Sequence, residues 1–158
     1  MSILVVGLGN PGDNYTNTPH NAGYIFLDLL KSILLNNTSL HTTHSIKEAK
    51  TYTAELFEIF NTKKNLSDLS KRKYLTLLKP LVFMNQSGQA VSDYIDYYKI
   101  SPASIFIAFD DLDIPYGQYK IQNSRYPKTH NGVNSTLSSI QKRNFSLSNL
   151  YSVRIGID

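Results

Sequence analysis

The opening stretch constrains this chain more than any other. Ile3-Leu4-Val5-Val6 runs straight into Gly7-Leu8-Gly9-Asn10-Pro11-Gly12. A short, mostly branched apolar run closed by Gly, Asn and Pro reads as a buried strand that ends in a tight loop. Loops at the carboxyl ends of strands in α/β sheets are where ligands bind, and glycines there admit approaches that side chains would block. The spacing Gly7-x-Gly9-x-x-Gly12 also matches the dinucleotide-binding fingerprint, but two features oppose that assignment. Pro11 has no N–H to offer a pyrophosphate, and it biases Asn10 away from helical geometry where a helix should begin. An acid should close a second strand about 20 residues further on; Asp28 falls instead inside an apolar-periodic run.

With 158 residues and 41% hydrophobic content, the chain fits one domain, spanning 1–158, that can bury a sizeable core. It has no cysteine, so disulfides, thiolate ligands and thiol nucleophiles are excluded, which suits a reducing compartment. The first strand begins at Ile3, leaving no room for a leader, and no apolar run approaches the ~20 residues that span a bilayer. The expectation is a soluble, cytoplasmic protein without a membrane partner. The net charge of +4 is modest but unevenly placed. After Asp113 the only acid is Asp158, while Lys120, Arg125, Lys128, Lys142, Arg143 and Arg154 fall in that stretch. Such a one-signed segment suits a phosphate-bearing partner, with Lys142 and Arg143 read as solvated charges.

Further along, Ala22, Ile25, Phe26, Leu29, Leu30, Ile33 and Leu34 keep helical spacing, predicting a helix over 22–34 that ends at Asn36-Asn37. His41 and His44 lie in a Thr-rich polar context and read as exposed loop residues. Residues 52–60 and 74–78 read as hairpin strands, joined by a Lys-rich connection that could form a second basic patch or simply a charged loop. A strand end at Pro80-Leu81-Val82-Phe83-Met84-Asn85-Gln86-Ser87-Gly88 precedes a second helix with Ala90, Val91, Tyr94, Ile95 and Tyr98 on its buried stripe. Asn85 or Ser87 would cap it. Ser101-Pro102 breaks that helix, and 105–109 reads as a central strand. It delivers Asp110-Asp111-Leu112-Asp113, three acids that repel one another unless a cation or donor faces them. A strand over 118–122, a polar loop, a weak helix marked by Val133, Leu137 and Ile140, and a last strand over 151–157 complete the chain.

Polar residues suited to catalysis thus recur at strand ends: Asn10, His20, Asn85, Asp110, His130 and Asn131. Together with Tyr15, His20-Asn21-Ala22-Gly23, Phe83-Met84-Asn85-Gln86-Ser87-Gly88, Asp110-Asp111-Leu112-Asp113-Ile114-Pro115, His130-Asn131-Gly132 and Arg154-Ile155-Gly156-Ile157, the opening loop resembles the bacterial-type peptidyl-tRNA hydrolase family. The motifs stand in the family's order across most of the chain, and residues 36–75 carry little of the likeness.

The resemblance implies a single three-layer α/β domain, a twisted mixed sheet with helices on both faces and a cleft at strand carboxyl ends. It implies hydrolysis of the ester between a peptide and tRNA by water, with no metal and no cofactor. His20 would be the general base, Asp110 its orienting acid and Asn10 a third catalytic residue. Tyr15, Asn85, His130 and Asn131 would line the substrate cleft. Lys120 and Arg154 would hold a tRNA phosphate. The family's glycine-rich loop before His-Asn-Gly is replaced by Asn123-Ser124-Arg125-Tyr126-Pro127-Lys128-Thr129, so Arg125 and Lys128 are expected to share the phosphate contacts. Family members also continue past the last motif into a lid and a C-terminal helix. The chain is therefore expected to be C-terminally shortened, to be a monomer, and to have a face through which it could self-associate. The alternatives are a non-catalytic RNA-binding protein on the same fold, which would have no need of a base with its orienting acid, and an unrelated small-molecule esterase, which would leave the basic segment unexplained.

Overall fold

A computed structural model of the chain describes residues 2–36, 41–48, 53–60, 73–99, 104–126 and 130–158. Its strands are β1 (Ile3–Gly7), β2 (His41–Glu48), β3 (Thr53–Phe60), β4 (Lys73–Pro80), β5 (Ser104–Asp111), β6 (Tyr119–Asn123) and β7 (Leu150–Gly156), and its helices are α1 (Ala22–Leu35), α2 (Ser87–Tyr97) and α3 (Asn131–Gln141). The strands form one sheet in the order β2-β3-β4-β1-β5-β7-β6. β4, β1, β5 and β7 run parallel, while β3 and β2 on one side and β6 on the other are antiparallel additions. The fold is the mixed α/β sheet that the sequence predicts.

Alternation along β1 splits the core in two. Leu4 and Val6 point to the face covered by α2 and α3, where they pack with Val91, Tyr94, Leu137 and Ile140. Val5 points the other way, to Leu27 of α1 and to Phe57, Ile59 and Leu77. Helices therefore cover both faces, and burying both sides of β1 is why its apolar residues are continuous rather than alternating. α1 is also fastened by polar contacts. The Tyr24 hydroxyl donates to the Pro80 carbonyl, and Lys79 reaches Asp28 at 2.5 Å and Glu55 at 3.4 Å.

On the α1 side, cover stops short of the β7–β6 edge. A cavity of about 720 Å³ remains between helix and sheet, lined by Ile25, Phe26, Leu29, Ile121, Ile155 and other residues. Leu29, Tyr119 and Ile121 are exposed beside it.

Two expectations change. His41 and His44 belong to β2, an edge strand paired in full register with β3, rather than to a loop. Neither Asn85 nor Ser87 caps α2: Met84–Gln86 form a 3-10 turn, Gln86 takes the cap position, and Ser87 is already helical and buried. The turn continues directly into the helix, so no extended residue remains where a side-chain cap would form. The basic connection over 61–72, Ser101-Pro102 and Lys128 lie outside the described residues.

Candidate active site

Two strand ends and one close approach build the site. β1 and β5 are adjacent and parallel, with Gly7 opposite Ala108, so the Leu8–Gly12 loop and the Asp110-Asp111 pair emerge on the same edge. From Gly12, whose φ of 104° suits glycine alone, two 3-10 turns, Asp13–Tyr15 and Pro19–Asn21, carry the chain to the start of α1. There Gly23 lets the helix rest on the sheet backbone. A Cβ at that position would stand 2.3 Å from the Ala108 carbonyl oxygen and 2.5 Å from the Leu8 nitrogen. This contact sets His20 over the end of β5, where its Nδ1 lies 2.7 Å from Oδ2 of Asp110.

Asp110 is only 5% exposed and holds a second imidazole. His130 Nε2 is 3.1 Å from its Oδ1. The hydrogen-bond network assigns both tautomers. His130 Nδ1 accepts the Val133 N–H at 3.3 Å, capping α3, so its proton sits on Nε2 and is donated to Asp110. An ionised carboxylate can only accept, so His20 donates from Nδ1 and its Nε2 keeps a free lone pair. The His20 side chain is 68% exposed and that of His130 only 11%. Burial would raise the Asp110 carboxyl, but the hydrogen bonds and positive character of His130 and His20 outweigh it and hold the group below its ordinary value.

Asn10 accepts the Met84 N–H on its side-chain oxygen at 2.9 Å. That bond brings the Met84–Gln86 turn, and Asn85 with it, up to the loop after β1. Asn85 is exposed and its carbonyl takes the Ser135 hydroxyl of α3 at 2.9 Å. Asn131 is exposed at the first position of α3, next to His130. Tyr15, 39% exposed, stands on the first 3-10 turn. The structure thus links His20, Asp110 and His130 through hydrogen bonds, bonds Asn10 to Asn21 and to the Met84 N–H, and sets Asn85 and Asn131 on neighbouring segments.

The basic residues have different surroundings. Lys120 of β6 is paired directly with Arg154 of β7, so the two side chains share one face of the sheet. Arg154 is engaged: its Nε donates to Asp111 Oδ2 at 2.6 Å, and Asp113 is 3.7 Å away. Burial favours a neutral Asp111, but the Arg154 hydrogen bond and the Asp113 N–H outweigh it and lower its titration point. The Arg154 guanidinium, expected at a phosphate, is thus also paired with two acids, which sit at the adjoining strand end. The same ion pair explains how neighbouring carboxylates coexist, since Asp110 faces imidazoles and Asp111 a guanidinium. Lys120 and Arg125 are exposed.

Sequence reasoning assigned His130 to substrate and missed its bond to Asp110. It also gave no role to Asn21 or Met84. Only the adjacency of Asn21 to His20 could have drawn attention to it.

A family model described as peptidyl-tRNA hydrolase matches residues 4–158. A peptidyl-tRNA hydrolase of Lactococcus lactis subsp. cremoris is 35% identical over 158 residues, covering 99% of this chain and 72% of the relative. One of Synechococcus elongatus is 34% identical over 142 residues, covering 90% of this chain and 61% of the relative. The chain thus spans roughly three fifths to three quarters of the length of these relatives. The crystal structure of peptidyl-tRNA hydrolase from Acinetobacter baumannii superposes with a TM-score of 0.71 at 29% identity, over 99% of this chain and 68% of that one.

Proposed function

The chain belongs to the peptidyl-tRNA hydrolase family, and on that premise we propose that it hydrolyses the ester joining a peptide, or an N-blocked amino acid, to tRNA. One observation carries this reading: Asp110 receives Nδ1 of His20 at 2.7 Å, which leaves Nε2 of an exposed imidazole free as a base. His130 cannot serve in that way, because its nitrogens are committed to Val133 and Asp110.

In the proposed reaction a water molecule gives a proton to His20 Nε2 as its oxygen bonds to the ester carbonyl carbon. Asp110 steadies the imidazolium that forms. The tetrahedral oxyanion then collapses, the bond from carbon to ribose oxygen breaks, and His20 returns the proton to that oxygen. Peptide and tRNA leave as acid and alcohol, and the acid loses its proton to solvent. Donors near the cleft, Asn10 among them, would stabilise the oxyanion. Tyr15, Asn85, His130 and Asn131 line the cleft in this scheme, and the scheme uses no metal or cofactor.

Lys120, Arg125 and Lys128 would meet the tRNA phosphates, with Arg154 held by Asp111 offering its remaining N–H groups beside Lys120. The proposed place of action is the cytoplasm. No helix among the described residues is long and apolar enough to cross a membrane. The catalytic unit is proposed to be a monomer, with the open apolar cavity beside α1 as the face through which copies would associate at high concentration.

The test is release of the acyl group from an N-blocked aminoacyl-tRNA by the parent chain and by His20→Ala. The expected result is clear turnover in the parent and a loss of about 10²-fold or more in the variant. An inactive parent that still binds tRNA would replace the enzyme with an RNA-binding protein.

A further inference from the structure

Asn21 directly follows the proposed base, yet it is only 2% exposed, and both ends of its amide are spent on one residue. Its Oδ1 accepts the Asn10 N–H at 2.8 Å and its Nδ2 donates to the Asn10 carbonyl at 3.0 Å. A single side chain thereby satisfies both backbone groups of a loop residue, much as a neighbouring strand would. Asn10 in turn gives its own side-chain oxygen to the Met84 N–H. With that oxygen occupied, the Asn10 NH₂ is the end of the amide left for another partner. Space for this arrangement comes from Gly9: a Cβ there would stand 2.8 Å from the Asn21 oxygen and 2.7 Å from the Tyr24 ring.

We infer that Asn21 is a positioning residue for the reaction, holding Asn10 so that its carboxamide meets the substrate as a donor and tying the loop after β1 to the turn that carries His20. The inference rests on the functional reading above and names how one of its residues is oriented. The order of the bonds is Asn21 to Asn10 to Met84, so loosening the first should be felt at the last. A residue that merely filled space would disturb its neighbours without following that order.

The experiment follows amide hydrogen exchange by NMR together with ester hydrolysis in the parent, Asn21→Asp, Asn10→Asp and Asn10→Ala. Asn21→Asp keeps the acceptor for the Asn10 N–H but turns an oxygen toward the Asn10 carbonyl. Met84 should then lose protection by about tenfold or more while the amides of β1 and β5 keep theirs. Turnover should fall by about tenfold with KM changed less than about twofold. Asn10→Asp retains the acceptor and removes the donor, so Met84 stays protected while kcat falls as far as in Asn10→Ala, where Met84 does lose protection. Adding Asn21→Asp to Asn10→Ala should lower kcat no further. Unchanged Met84 exchange in Asn21→Asp, or losses that multiply in the double variant, would overturn the positioning role. If Asn21→Asp does not fold, Gly9→Ala crowds the same amide without removing a polar group and should reproduce the Met84 effect. A parent without ester hydrolysis refutes the functional reading, and the exchange data still decide whether Asn21 governs Asn10.

Discussion

Asp110 holds two imidazoles on one carboxylate, and the pair is unequal by construction. His130 is immobilised from both sides, by Asp110 and by the first turn of α3, whereas His20 has one anchored nitrogen and one facing solvent. Replacing Asp110 with Asn would present an NH₂ where one of the two rings now donates, so at least one imidazole must turn or change tautomer. Turnover in Asp110→Asn should fall by about 10²- to 10⁴-fold with tRNA affinity nearly unchanged, as steady-state kinetics and a binding titration would show. The same residue predicts an acid response. Because its carboxyl titrates lower in the folded chain than its ordinary value of 3.8, the unfolded chain takes up the proton first. The stabilisation is complete above that value and is lost as the pH falls through the lower folded one. Denaturation midpoints measured between about pH 5 and pH 2 should fall less steeply in Asp110→Asn than in the parent. The places of His20, just before an apolar helix, and of Asp110, at the end of an apolar strand, were legible in the sequence, whereas their pairing was read only from the likeness to the family motifs. The partners of His130 and Arg154 were not legible, since Asp110 and Asp111 lie 20 and 43 positions away from them and no local pattern encodes the meeting.

The element that decides the geometry is the first turn of α1, pressed onto β1 and β5 at Gly23. Gly23→Ala would push a methyl group against backbone atoms that cannot swing aside. It should cost about 1–3 kcal/mol, the range for overpacking, read as a shift in the denaturant midpoint. Turnover should fall more than stability explains, because lifting α1 draws His20 away from Asp110. The three helices were legible from their apolar periodicity, and α1 ends one residue beyond its predicted limit, at Leu35. Among the strands, β1, β3, β4, β5, β6 and β7 were legible from apolar runs between turn residues. β2 was not: His41-Thr42-Thr43-His44-Ser45 is polar, and an edge strand can be held by backbone pairing to β3 alone, without the apolar alternation by which strands are recognised. The 3-10 turn at Met84–Gln86 was likewise hidden, because capping residues near a helix start do not reveal which of them is already inside it.

At the scale of the molecule, Lys120 and Arg154 lie level with the end of β5 that carries Asp110, whereas Arg125 follows the other end of β6, beside the start of β7, and the roles of these groups can be separated by salt. Lys120 and Arg125 are exposed, whereas Arg154 is tied to Asp111. Lys120→Glu, or the pair Arg125→Glu and Lys128→Glu, should weaken tRNA binding at low salt and reduce the slope of log K against log salt by about one for each phosphate no longer neutralised. Thermal midpoints should barely move. Arg154→Ala should lower affinity and stability together, because it leaves Asp111 half-buried without its cation. Finally, the strand order has a consequence for synthesis. β1 is made before the other described strands but lies between β4 and β5, so neither of these pairings can form until Lys73 and then Ser104 have been added. A pause in translation before β5 would leave the nascent chain with an apolar strand open on at least one side, the condition under which strands pair with a neighbouring chain instead of their own.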